Sequence, residues 1–123
     1  MKYKSILLTL LLSTILCAAC NSRPKNLSDD MYNYAESVIR TADAYMDNQL
    51  SYDEAKEKIL KLDEIAEKLY KEEGDNTDNF LAQNYIGLVS SALMLEHSGS
   101  YTYADLKESR NNLAKQIGYS ERD

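Results

Sequence analysis

Residues 51–74, SYDEAKEKILKLDEIAEKLYKEEG, carry the pattern that decides the fold. Ser51 with Glu54 three places on has the form of a capping box, each side chain accepting from the other residue's backbone N–H. Leu50 and Ala55 stand where a hydrophobic staple holds the entering chain. Tyr52, Ala55, Ile59, Leu62, Ala66 and Leu69 then recur at spacings of three and four, which lays one apolar stripe along a helix. Glu54–Lys58, Glu57–Lys61, Glu64–Lys68 and Glu67–Lys71 each place glutamate four before lysine, worth about 0.2–0.5 kcal/mol per exposed pair. Gly74 suits a left-handed residue that stops the helix. The spacing predicts a helix over about 52–73.

The same grammar extends to both sides. Ser28 fits an N-cap between Leu27 and Tyr32, with Asp29 and Asp30 at the positive end of the helix dipole. Met31, Ala35, Val38, Ala42 and Tyr45 form its stripe, widened by Tyr34, Ile39 and Met46, and Asp47-Asn48 ends it. Beyond Gly74-Asp75-Asn76-Thr77, a third segment repeats Leu81, Tyr85, Leu88, Ala92 and Leu95, with Phe80, Ile86, Val89, Leu93 and Met94 around them. It is the most apolar of the helices and is expected to be the most enclosed. Thr102 to Asp105 resembles a second capping box and opens a shorter helix to about Ile117, stopped by Gly118. Short connections between amphipathic helices favour antiparallel neighbours, so the expected architecture is all-α: an up-and-down bundle of three long helices and a shorter C-terminal one.

At the N-terminus, Met1-Lys2-Tyr3-Lys4 precedes the apolar run Ile6 to Leu16 and then Cys17-Ala18-Ala19-Cys20. A basic start, a short apolar core and small residues make a secretory signal. The run is too short to cross a hydrocarbon core, which takes about 20 apolar residues. The ending resembles the lipobox of bacterial lipoproteins, with Ala18, Ala19 and Cys20 in its last three places and Cys17 where that family usually has leucine. The resemblance covers residues 1–20 only. It implies that Cys20 is lipidated and becomes the first mature residue, anchoring the chain on the outer side of the cytoplasmic membrane or in the outer membrane. Asn21 in place of aspartate implies, by resemblance to enteric lipoprotein sorting, the outer membrane where the host has one. The expected organisation is a signal over 1–19, a lipidated tether over 20–27, the bundle over 28–119 and a tail over 120–123. Within the tether, Arg23 and Lys25 either meet anionic head groups or are solvated.

Loss of residues 1–19 leaves 104 of the 123 residues, enough for one small domain. Losing Lys2 and Lys4 takes the formal charge from −6 to −8, a balance that argues against nucleic acid. With Cys17 removed and Cys20 lipidated, no thiol remains for a disulfide, zinc site or redox couple, and packing alone must hold the fold.

No constellation for catalysis stands out. His97 is the single histidine and sits near the negative end of a helix dipole without a nucleophile elbow or glycine-rich loop. Asp75, Thr77 and Asn79 alternate like a calcium loop, but the sixth place is Phe80 and the twelfth Ile86, so helix capping is the better account. Gly87 costs about 1 kcal/mol inside a helix relative to alanine. Together with Ser90 and Ser91 it marks either an internal helix crossing or a partner groove. Tyr32, Tyr101 and Tyr119 fall off the stripes and suit either the wet edge of a small core or a contact surface. Arg110 interrupts the stripe of Tyr103, Leu106, Leu113 and Ile117; its stem is expected to lie over apolar surface with its head in water, the alternative being a salt bridge to the first or second helix.

These readings converge on a non-enzymatic, lipid-anchored interaction module of the assembly-accessory, immunity or exclusion type, with an envelope protein as partner and no cofactor or metal. Gly87, Ser91, Tyr101 and Tyr119 are its candidate interface residues. The alternative is a carrier of a small or lipidic ligand, which requires a cavity lined by Leu81, Tyr85, Leu88 and Ala92.

Overall fold

The computed structural model describes residues 22–123. Residues 1–21 lie outside the described residues, so both the signal over 1–19 and lipidation at Cys20 are expectations from sequence. Among the described residues four helices follow in order: α1 (Asp29–Met46), α2 (Tyr52–Glu73), α3 (Thr77–His97) and α4 (Tyr103–Ile117). The local start signals act as the sequence indicates. Ser28 accepts from the Met31 N–H, and Ser51 with Glu54 and Thr102 with Asp105 close complete capping boxes. The turn before α3 chooses Asn76, whose side chain accepts from the Asn79 N–H. Gly118 ends α4 in the left-handed region, whereas Gly74 ends α2 at φ 76° and ψ −153°, an extended conformation open to glycine and outside the left-handed helix expected of it. Of the four Glu–Lys pairs expected on α2, Glu67–Lys71 is closed, at 2.8 Å, among the described residues.

Consecutive helices run antiparallel. One end of the bundle gathers Ser28 at the start of α1, Glu73 at the end of α2 and Asn79 at the start of α3, which hydrogen-bond to one another. The other gathers Tyr45 from α1, Tyr52 from α2 and His97 from α3. α1 and α3 each pack against all three other helices, while α2 and α4 flank them without touching each other. The enclosure expected for the third helix is therefore shared with the first. Met31, Ile39, Ile59, Ile86, Leu93, Leu106, Leu113 and Ile117 are the large side chains at the centre, and the core lies wholly within residues 27–117.

The interior face of α3 differs from the stripe expected for it. Asn79, Ala82, Ile86, Val89, Ser90, Ala92 and Leu93 are buried, whereas Leu81, Tyr85 and Leu95 are half-buried and Leu88 is 55% exposed. The helix is apolar on two faces, so periodicity supplies a stripe but no direction to turn it. On α4, Tyr103 stands out at 47% exposure and Ala114 takes a core place instead.

Both ends of the described residues are fastened down. The Asn26 N–H donates to Asp78 Oδ2 and the Asn26 carbonyl accepts from Asn76 Nδ2, at 3.0 and 2.8 Å. Arg23 donates to the Leu27 carbonyl and to Asp29, and lies 4.7 Å above the Tyr32 ring. At the C-terminus, the Ser120 carbonyl accepts from Arg110 and the backbone of Arg122 pairs with the Asn111 side chain through two hydrogen bonds. The last residues thus double back along α4, and Arg122 reaches Asp47 and the Tyr103 hydroxyl.

Candidate functional site

The strongest polar constellation is structural. Arg110 is 3% exposed, with Nε and Nη2 donating to the two carboxylate oxygens of Asp43 at 2.8 Å each. Its Nη1 donates to the Ser120 carbonyl and to Asn111 Oδ1. The expectation of an arginine head in water is corrected: the salt bridge to the first helix is the arrangement found. A guanidinium at a core position is tolerated where a bidentate acceptor replaces the water it has lost. Arg110 interrupting an apolar stripe was the visible signal; Asp43 lies 67 residues away and is not marked by any local pattern.

Asn79 is a second buried key. Its Oδ1 accepts from the Ser28 N–H, and its Nδ2 donates to Ser28 Oγ and Glu73 Oε2. The residue that resembled a calcium ligand instead ties the starts of α1 and α3 to the end of α2. At the opposite end the Tyr45 hydroxyl donates to Glu96, and burial followed by that carboxylate pushes the hydroxyl up to about 12. His97 stacks flat on Tyr52 with ring centroids 3.6 Å apart. Arg110, Asp43, Asn79, Tyr45 and Glu96 are thus engaged in holding helices together.

The candidate interface residues do not form one patch. Gly87 faces α2: a Cβ there would lie 3.8 Å from Asp63 Oδ1, an ordinary contact. Ser90, three places further on, is buried, and Ser91 is exposed. Tyr101 is 42% exposed, and its N–H donates to the carbonyl of Leu95, the last leucine on the outer side of α3. Tyr119 is half-buried against the core at the other end of α4, with Arg110 5.8 Å from its ring, and Tyr32 is half-buried beneath Arg23. Ser91 and Tyr101 thus share the outer side of α3 and its far end, while Gly87 and Tyr119 are drawn into internal contacts.

That outer side is the most distinctive surface. From Asn79 to Leu95 the helix contains no charged residue, in a chain with formal charge −6. Leu81, Leu88 and Leu95 repeat at intervals of seven, bringing them to one line of the helix. Asn84, Leu88 and Ser91 are exposed along it, and Phe80, 41% exposed, stands at its beginning. Periodicity found these leucines and assigned them inward.

Asp63, beside Gly87, has its Oδ1 buried without a hydrogen-bond partner among the described residues. Burial pushes its carboxyl above the ordinary value of 3.8, an effect that Gln83 opposes and nearby Glu67 reinforces. The folded protein then holds this proton more tightly than the unfolded chain, so the ionised form costs stability above the folded value and the cost is relieved as pH falls through it. Asp63→Asn is expected to raise the melting temperature at pH 7, with the gain shrinking as pH falls toward 3.8. Thermal melts of both proteins across that range check it; an equal gain at every pH contradicts it.

Among the described residues no helix is long and apolar enough to cross a membrane, and no group of three or more histidine, cysteine or acidic side chains is placed to hold a metal ion. No family model, curated protein or solved structure matches this chain.

Proposed function

We propose that this chain is a lipid-anchored, non-enzymatic protein-interaction module of a bacterial envelope, fixed to its membrane through Cys20 and meeting an envelope protein through the outer side of α3. The anchor rests on the lipobox-like Ala18-Ala19-Cys20. The interaction reading is carried by the uncharged outer side of α3, where Leu88 is left 55% exposed on an acidic protein. Exposed leucine in line with Leu81, Leu95 and nearby Tyr101 is surface that water leaves poorly satisfied and a partner would cover. The carrier alternative draws no support from the packing, since Leu88 points out of the bundle and cannot line a common interior with Ala92.

Two measurements in the native host test the two halves of this reading. Fatty-acid labelling should persist in Cys17→Ala and vanish in Cys20→Ala; the reverse pattern defeats the anchor. A photo-crosslinking residue at position 88 should capture a discrete envelope protein, whereas one at exposed Glu64 on α2 should not. Leu88→Lys should abolish partner binding while shifting the melting temperature by no more than about 2 °C, the change expected of an exposed site. Equal crosslinking from both positions, or binding unaffected by Leu88→Lys, defeats the interface.

A further inference from the structure

We infer that the anchor is held short, so that the bundle stands end-on upon its membrane, with the α2–α3 turn against the lipid head groups and the α3–α4 loop held away from them. The inference rests on the proposed anchoring at Cys20 and adds an orientation to it.

Of the residues expected to form the tether, 22–27 are described, and they pack on the fold. A Cβ on Gly118 would lie 2.5 Å from the Arg23 nitrogen and 2.6 Å from the Ser22 carbonyl carbon, so the chain passes directly over the end of α4 where a side chain would exclude it. Gly118 also has φ 74°, a conformation that favours glycine. From there Asn26 is clasped by Asn76 and Asp78, and Leu27 is 5% exposed. Ser22 is two residues from Cys20, and consecutive Cα atoms are about 3.8 Å apart, so the lipidated residue lies within about 8 Å of the docked chain. A freely extended tether from Cys20 to Leu27 would have allowed about 27 Å.

That short leash leaves the end of the bundle containing Ser22, Gly118 and the α2–α3 turn nearest to the bilayer. Phe80 is 41% exposed in the first turn of α3, with its ring centroid 5.4 Å from that of half-buried Tyr70. Aromatic rings so placed suit the boundary between head groups and acyl chains. Glu72, Glu73, Asp75 and Asp78 beside them make zwitterionic head groups the compatible surface, because anionic lipid would repel this end. The α3–α4 loop, with Tyr101, is separated from it by the 21 residues of α3, a rise of about 31 Å. The outer side of α3 then runs upright from the membrane, open to a partner arriving laterally.

Energy transfer measures this directly. The mature chain from Cys20, which contains the complete core, is coupled through Cys20 to a maleimide lipid in phosphatidylcholine vesicles carrying a head-group acceptor. A donor is installed by a non-thiol chemistry at exposed Asp75 or exposed Ser100. Transfer at position 75 should exceed that at position 100 several-fold. Inserting twelve Gly/Ser residues between Asn21 and Ser22 should erase most of that contrast and leave the melting temperature unchanged. Equal transfer from the two positions with the native spacing overturns the inference, as does a contrast that survives the insertion, since orientation would then not come from the short leash. Because the lipid is attached chemically, failure here is distinct from failure of Cys20 to be lipidated in the host.

Discussion

Asp43→Ala is expected to lower the melting temperature by roughly 15 °C, from a loss of about 3 kcal/mol. The carboxylate is a quarter exposed, but the guanidinium it satisfies is 4% exposed, and removing Asp43 leaves that charge inside the bundle with two donors unanswered. The cost exceeds that of an exposed ion pair, about 0–1 kcal/mol, because the guanidinium stays buried and water admitted beside position 43 cannot replace a bidentate carboxylate. Arg110→Met combined with Asp43→Leu removes both charges and should recover much of the loss. Recovery should be incomplete, because Arg110 also holds the Ser120 carbonyl and Asp43 lies 3.6 Å from Arg122. Chemical denaturation of the two single variants and the double variant measures the coupling. An Asp43→Ala protein within about 1 kcal/mol of wild type would show that the buried arginine does not depend on this partner.

At the opposite end of the bundle, Asn79→Asp is expected to be more damaging than Asn79→Ala. The alanine variant loses three hydrogen bonds and leaves the Ser28 N–H to find another partner, a loss of about 2–4 kcal/mol. The aspartate variant nearly preserves shape but replaces the donor facing Glu73 with a carboxylate oxygen, at a position with no solvent exposure. An ionised group there is opposed by both burial and the Glu73 charge, which raise its folded pKa above the unfolded value. Its penalty is therefore full at neutral pH and falls as acidification protonates it. Melting measured from pH 7 to pH 4 should show Asn79→Asp recovering relative to wild type while Asn79→Ala stays parallel to it. Parallel behaviour of both variants would mean that residue 79 does not sit against the Glu73 carboxylate.

These two positions also mark the division between what is local and what is not. The bounds of α2, 52–73, and the stop of α4 at Gly118 follow from groups within a few residues of each other: Ser51 with Glu54, Thr102 with Asp105, a glycine after the last turn. Such contacts form with little chain closure, so a sequence window contains both partners and their spacing is the signal. The all-α bundle was legible for the same reason, since apolar periodicity and caps agreed from Ser28 to Gly118. The resemblance of Ala18-Ala19-Cys20 to a lipobox is likewise a linear pattern, readable without a fold.

What only the tertiary structure decided is direction and pairing. α3 is apolar on two faces, so the free energy of burying either is similar in isolation, and the arrival of α1, α2 and α4 determined that Ile86 and Leu93 go inside while Leu88 remains out. Asp43 and Arg110 are 67 residues apart, and Ser28 and Asn79 are 51. Each carries a polar group that costs energy when buried alone and becomes acceptable only when the other arrives, a dependence that no window around either residue contains. The docking of residues 22–27 is of the same kind: Gly118 announced a helix end in the sequence, but that its bare Cα is the surface over which Ser22 and Arg23 pass is a fact of packing.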